Sequence, residues 1–315
     1  MSDNGLHVVL GASGGTGSAI VEELLRRGHR VRAVSRSGEA PDRVEGMKAD
    51  VASRQGARIA AEGASVIYHA AQPPYTKWPE EFPPMTDAII EGTAGAGAKL
   101  VFADNLYMYG PNSPQPMTEE TPQRATGRKG RTRILMAQRL LEAHHSGRVR
   151  VAIGRSSDYY GPRGTASVAG DQVFGAAVVG KKARWPGSLD VPHTLSYLPD
   201  MARALVTLGE REEADGEVWQ LPAAEPLTGR RFLELVFEEA GKPAKVGVIS
   251  RNMVRLAGIF SPFIREFGET LYQFEKPFVS DASKYQRAFG PFEPTVYEEA
   301  IVHTVGWFGR RKKSD

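Results

Sequence analysis

Short unbroken apolar runs alternate along the chain with stretches in which apolar residues recur at helical spacing. Residues 7–10 form the first such run, and Ala19, Ile20, Leu24 and Leu25 follow it on one helical face. Residues 30–34 predict a second strand and residues 47–51 a third. A helix over 53–62, a strand over 66–70, a helix over 85–92 and a strand over 99–103 continue the alternation. A basic amphipathic helix is predicted over 129–146, with Ile134, Leu135, Leu140 and Leu141 as its apolar face, followed by a strand over 148–154. Strands separated by helices and buried on both faces predict an α/β chain, a Rossmann-type doubly wound parallel sheet. Residues 73–84, rich in proline and carrying Tyr75, Trp78 and Phe82, read as a loop. Beyond residue 161 helical pieces are predicted over 171–179, 199–209, 228–240, 261–274 and 297–307, with short strands over 218–221 and 246–249. The expected division is a larger domain over 1–160 and a smaller, mostly helical lobe over 161–315, interleaved with the end of the first.

The junction between the first strand and first helix carries the clearest chemistry. Gly11, Gly14 and Gly17 recur at intervals of three, with Ser13, Gly15 and Thr16 between them. A pyrophosphate needs backbone N–H groups aimed at it, no side chain in the way, and the positive end of a helix dipole beyond. Strand, glycine turn and helix in this order meet that need, so a dinucleotide site is expected, with residues 1–160 as its domain. Arg36 ends the second strand, 19 residues beyond Gly17, where such a fold meets the adenosine ribose. An acid there would repel a 2′-phosphate, and an arginine attracts one. The expected cofactor is therefore NADP (NADPH), with NAD less favoured. Asp50 and Val51 at the end of the third strand, and Ala70, Ala71 and Gln72 at the end of the fourth, are further candidates for cofactor contact.

Composition narrows the remaining choices. There is no cysteine, which excludes disulfides and thiol nucleophiles, and the seven histidines form no metal-binding pattern, so no metal is expected. The net charge of +3 and a sequence pI of about 9.0 come from dispersed basic residues, not a long tract, and nucleic acid is not expected as a partner. The basic residues 310–313 read as a solvated end. No stretch is apolar enough to span a membrane and the first five residues are too polar for a signal peptide. A soluble, cytoplasmic protein with a small-molecule substrate and no membrane partner is expected, with a homodimer as its candidate assembly.

Several motifs in order, GASGGTG, the strand ending at Ala71, VFADNLYMYG, GRSSDYYGP over 154–162 and HTLSYLPDMARAL over 193–205, resemble the extended and atypical short-chain dehydrogenase/reductases. The chain is similar to the NAD(P)-dependent epimerase/dehydratase group of that superfamily over nearly its whole length. The resemblance implies a serine or threonine after the fifth strand, followed by a tyrosine and a lysine four apart on the next helix. Those positions map here to Asn105, Lys129 and Arg133. All three differ from the implied triad.

The residues present still suggest chemistry. Hydride delivery to a carbonyl produces an alkoxide, which needs a proton donor and a hydrogen bond to stabilise charge. Lys129, with its pKa depressed by Arg128, Arg131 and Arg133, is one candidate donor, and Tyr107 another; Arg133 belongs to the same group. Asn105 can hydrogen-bond the substrate oxygen, while Tyr109 is expected to pack beneath the cofactor. Tyr159, Tyr160, Trp185, His193, Tyr272 and Phe274 are candidates for the pocket wall, with the Tyr272 region facing the 73–84 loop. The expected activity is an NADPH-dependent reductase of a small organic molecule. The alternatives are an NADP-binding sensor similar to the NmrA-like branch, without turnover, and a nonredox isomerase or dehydratase on the same fold.

Overall fold

The computed structural model describes residues 5–314, with side chains to residue 312, so the first four residues, Asp315 and the side chains of Lys313 and Ser314 lie outside it. Strands β1 (Leu6–Leu10), β2 (Arg30–Ser35), β3 (Glu45–Lys48), β4 (Ala64–His69), β5 (Lys99–Asp104) and β6 (Arg150–Arg155) lie in the order β3-β2-β1-β4-β5-β6. The strand Val218–Gln220 adds to the β6 edge, and all six pairings are parallel. Chain direction across the sheet reverses between β1 and β4. That switch opens a crevice at the carboxyl ends of the strands.

Every residue of β1 is buried because helices cover both faces of the sheet. Leu6, Val8 and Leu10 pack with the helices α2 (Arg54–Ala61), α3 (Trp78–Ala96) and α4 (Arg128–His145). Val9 points the other way, into a core shared with α1 (Gly15–Arg26) and the helix Leu198–Glu210. Residues beyond 161 thus complete the sheet and one of its helical layers. A separate core, built on Tyr160, Phe174, Trp185 and Phe232, holds the rest of the C-terminal part together.

Four expectations need correction. The segment expected as a loop over 73–84 is a 3-10 turn, Tyr75–Lys77, leading directly into α3, which contains Pro79, Pro83 and Pro84. The prolines fall in its first two turns, and the buried stripe Trp78, Phe82, Met85 and Ile89 carries the helix through them. The third strand lies at Glu45–Lys48, earlier than expected, because Ser53 caps α2 by accepting from Gly56 N–H, drawing residues 50–53 into a turn. In α4 Leu135 is 38% exposed, and the inward face is Lys129, Arg133, Met136, Ala137 and Leu140, so two cations share the stripe that an apolar reading assigned to leucine. The helical piece expected over 261–274 is the helix Pro262–Thr270 and a separate 3-10 turn Leu271–Phe274, preceded by an unexpected helix, Arg251–Gly258. Among the described residues no helix is long and apolar enough to cross a membrane, and no group of side chains could hold a metal ion.

Candidate active site

The glycines after β1 answer different steric demands. Gly11 has φ +83°, and a Cβ there would stand 2.7 Å from the Ala71 backbone, while one on Gly17 would stand 2.2 Å from the Gly11 carbonyl oxygen. A Cβ on Gly15 would stand 3.0 Å from the Leu198 side chain and 3.2 Å from the Gly164 backbone. Gly14 is different: a Cβ would meet only the Gly11 oxygen, at 3.5 Å, and both Ser13 and Gly14 face solvent. Gly14 is the N-cap of α1, no side chain caps it, and the first turn holds no acid. An uncapped helix N-terminus on an accessible glycine turn, with Thr16 beside it, fits the pyrophosphate of a dinucleotide.

The other expected cofactor residues border the same edge. Gly11 N–H and Ala12 N–H both donate to Val34 O, at 3.0 and 3.1 Å, which ties the turn to the end of β2. Arg36 follows, exposed and with no ion-pair or hydrogen-bond partner among the described residues. Ala70 N–H donates to Leu10 O at 3.0 Å, bringing half-buried Ala70 and Ala71 against the glycine turn, with Gln72 exposed beyond them. Asp50 is exposed and its Oδ1 accepts from Ala52 N–H at 3.1 Å; Val51 is buried.

At the ends of β5 and β6 the polar groups are buried and interlocked. Asp104 receives Arg133 Nη1 at 3.2 Å on one oxygen and Arg155 Nε at 3.3 Å on the other. The Arg133 guanidinium lies 4.3 Å from the Trp78 ring and 4.8 Å from Phe82. Tyr109 does not face the accessible edge: its hydroxyl accepts from Arg155 and from Gln220, at 3.0 and 2.9 Å, inside the sheet end. Lys129 is fully buried; its ammonium pairs with Glu266, donates to the Tyr75 carbonyl and sits 4.2 Å above the Tyr75 ring. Burial pulls the Lys129 pKa down, Glu266 opposes it, and Arg128 adds only a smaller downward push. The expected cause, repulsion by three arginines, is therefore replaced by desolvation.

Asn105 and Tyr107 form the turn that leaves β5. Asn105 Oδ1 accepts from Tyr107 N–H at 3.1 Å, which sets the ring on Trp78 with centroids 6.1 Å apart. Burial raises the Tyr107 pKa well above its usual value, and Tyr75, Asp158 and Tyr272 raise it further, while Arg133 lowers it. Burial also pushes Tyr75 up to about 12 and raises Tyr272, so three protonated phenols gather around Asp158. The imidazole of His193 contacts Asp158 Oδ2 at 3.0 Å and donates from Nδ1 to Gln273 O at 3.0 Å.

The sequence matches the model of the NAD-dependent epimerase/dehydratase family over residues 7–221, more than two thirds of its length. The chain belongs to that family. A relative from Stigmatella aurantiaca, 25% identical over 84% of this chain and 80% of its own, is named a 4-hydroxy-2-methyl-3-oxo-4-farnesyl-3,4-dihydroquinoline-1-oxide ketoreductase. An uncharacterized protein of Sinorhizobium fredii is 23% identical over 98% of this chain and 79% of its own. Among solved structures, an epimerase of Methanothermobacter thermautotrophicus superposes with a TM-score of 0.82 at 17% identity, covering 98% of this chain and 94% of its own. UDP-glucose 4-epimerase of Thermus thermophilus, solved with NAD, gives 0.77 at 20% identity, covering 96% and 98%. At these identities the two structures establish the fold.

In this member of the epimerase/dehydratase family the first turn of α4 is secured from the C-terminal part. Glu269 Oε1 accepts from the backbone N–H groups of Lys129 and Gly130 at 2.8 and 3.3 Å, and Glu266 takes the Lys129 ammonium. Neither acid was a sequence candidate, because nothing local links residue 129 to a helix 140 positions later. Asp104 and Arg155 had a visible signal: each is a charge at the carboxyl end of a strand whose interior residues are apolar.

Proposed function

We propose that this chain is an NADPH-dependent oxidoreductase that reduces a carbonyl of a small organic substrate, with Tyr107 as proton donor. The observation that carries the reading is the position of Tyr107, a half-buried phenol on the turn that leaves the carboxyl end of β5, where the crevice opens. A bound nicotinamide would supply the hydride. The alkoxide that results must be protonated and its charge stabilised meanwhile. Burial holds the Tyr107 proton more tightly than that of a free phenol, so it passes only to a strong base such as an alkoxide, and Arg133 partly opposes that shift. The Asn105 carbonyl oxygen is occupied by Tyr107 N–H, which leaves the amide NH₂ to donate to a substrate oxygen. Lys129, tied to Glu266 and Tyr75, keeps the wall of this cluster in position. The ketoreductase name of one relative supports carbonyl reduction as the reaction class.

Gly14, Gly15, Thr16 and Gly17 would hold the pyrophosphate, with Ser13, Ala70, Ala71 and Gln72 along its path, and Asp50 and Val51 near the adenine. The choice of NADPH rests on Arg36, exposed and without a partner among the described residues. A charge-assisted contact to the 2′-phosphate contributes roughly 1.5 to 3 kcal/mol, about tenfold to a hundredfold in affinity. Fluorescence titration is expected to show NADPH binding tighter than NADH by that factor, and Arg36→Asp to abolish the preference. Equal affinities that the substitution leaves unchanged would overturn the NADP assignment. One observation favours a second reading, binding without turnover: both cations at the triad positions, Lys129 and Arg133, are already committed to carboxylates.

A further inference from the structure

Eleven large apolar side chains are exposed among the described residues, and five of them, Met253, Leu256, Ile259, Phe260 and Phe263, fall within 253–263. The other six are scattered through the chain, which is ordinary; this cluster is not. It crowns two short helices, Arg251–Gly258 and Pro262–Thr270, that pack on each other through Gly258 and Arg265. Phe260, at the turn between them, is 85% exposed. Between the helices lies a cleft of about 510 Å³ lined by Arg251, Arg255 and Arg265 together with Val254, Ile259 and Leu271. Arg251 is paired with Glu275, whereas Arg255 and Arg265 have no ion-pair or side-chain hydrogen-bond partner among the described residues. The acids of this hairpin, Glu266 and Glu269, are turned inward and consumed by Lys129 and the α4 N-terminus. Its outer surface therefore presents apolar residues and cations.

We propose that this hairpin docks on the surface of an anionic phospholipid bilayer, with lipid phosphate in the arginine-lined cleft and Ile259, Phe260 and Phe263 in the headgroup–acyl boundary. Amphipathic helices with arginine beside bulky apolar residues bind such interfaces by adding apolar burial to attraction for acidic headgroups. Charge selects this occupant. A second copy of the chain would bring Arg255 and Arg265 against their own like, and a free anion would leave the apolar crown in water. This is association with a surface, not spanning, and it departs from the expectation of no membrane partner. Because Phe263 also packs on Tyr75, with centroids 5.6 Å apart, docking would hold the mouth of the candidate active site beside the lipid.

The test is co-sedimentation of the full chain with phosphatidylcholine vesicles and with vesicles that also contain phosphatidylglycerol. Selective partitioning onto the second kind is expected, weakened by salt and insensitive to millimolar inorganic phosphate. Arg255→Ala with Arg265→Ala is expected to lower it about 25-fold, taking about fivefold per arginine, and Phe260→Asp to lower it about tenfold or more. Circular dichroism and NADPH titration of each variant are expected to match the parent, so failure here is separable from failure of the redox reading. Absent or charge-independent partitioning would overturn the proposal, as would variants that bind like the parent. So would competition by inorganic phosphate with no effect of Phe260→Asp, or dimerisation lost in Phe260→Asp without lipid binding.

Discussion

His69 shows at the scale of one residue how burial sets behaviour. It ends β4 with both ring nitrogens lacking a hydrogen-bond partner among the described residues, packed 5.0 Å from Phe102, and burial with help from Arg133 pushes its pKa down to about 3. The unfolded chain takes up a proton near 6.5 that the folded chain refuses. The stability this residue contributes is therefore complete above pH 6.5 and is lost as pH falls from there toward 3. The loss is about 1.4 kcal/mol per pH unit, roughly 3 kcal/mol by about pH 4.5. Urea unfolding at several pH values is expected to show that slope in the parent and a flatter one in His69→Leu; identical slopes would assign the acid sensitivity elsewhere. Legibility at this scale followed the range of the constraint. The placement of Gly11, Gly14 and Gly17 on the turn was readable because a turn and its helix are local, and that of Arg36 at the end of β2 because one strand-helix-strand unit fixes its distance from them. The burial of Lys129, the commitment of Asp104 to two arginines and the inward turn of Tyr109 depend on side chains 29 to 140 residues away.

At the scale of elements, α4 begins without a cap of its own. Gly127 is its N-cap and has no side chain, so the Glu269 carboxylate fills that position, and a Cβ on Gly127 would stand 2.2 Å from Glu269 Oε1. A polar cap and an acid at a helix start contribute about 1 to 2 kcal/mol. Glu269→Ala is expected to destabilise the chain by that amount. Gly127→Ser is expected to destabilise the parent, where it collides with Glu269, yet to stabilise Glu269→Ala, where it restores a cap. Denaturant midpoints of the four proteins check this reversal of sign; equal effects in both backgrounds would show that the two residues do not share the site. Helix α3 is the element that sequence reading missed most clearly. Five prolines over 73–84 suggested a loop, but three of them lie within α3, where the stripe from Trp78 to Ile89 buries enough apolar surface to outweigh the lost backbone hydrogen bonds.

Across the whole molecule, the reversal of strand order between β1 and β4 gathers the glycine turn, Arg36, Ala70 and Ala71 at one edge of the crevice. The ends of β5 and β6 bring Asn105, Tyr107 and the interlocked cations to the other. The C-terminal part closes over this second half through Glu266, Glu269 and Phe263. Alternation of strands and helices foretold the sheet, whereas the closure arises from contacts across the full chain and has no local signature. The central claim is that this architecture carries out hydride transfer with Tyr107 in place of the implied tyrosine–lysine pair. The most direct measurement incubates the enzyme with NADPH deuterated at nicotinamide C4 and a panel of ketones and enones, and looks for deuterium in the product by mass spectrometry, for the parent and for Tyr107→Phe. The account predicts deuterium in the alcohol product of the parent and turnover lowered by about 10² to 10⁴ in Tyr107→Phe, the range of general acid catalysis, with KM little changed. Cofactor binding without transfer to any substrate, or transfer that Tyr107→Phe leaves at the parent rate, would contradict it.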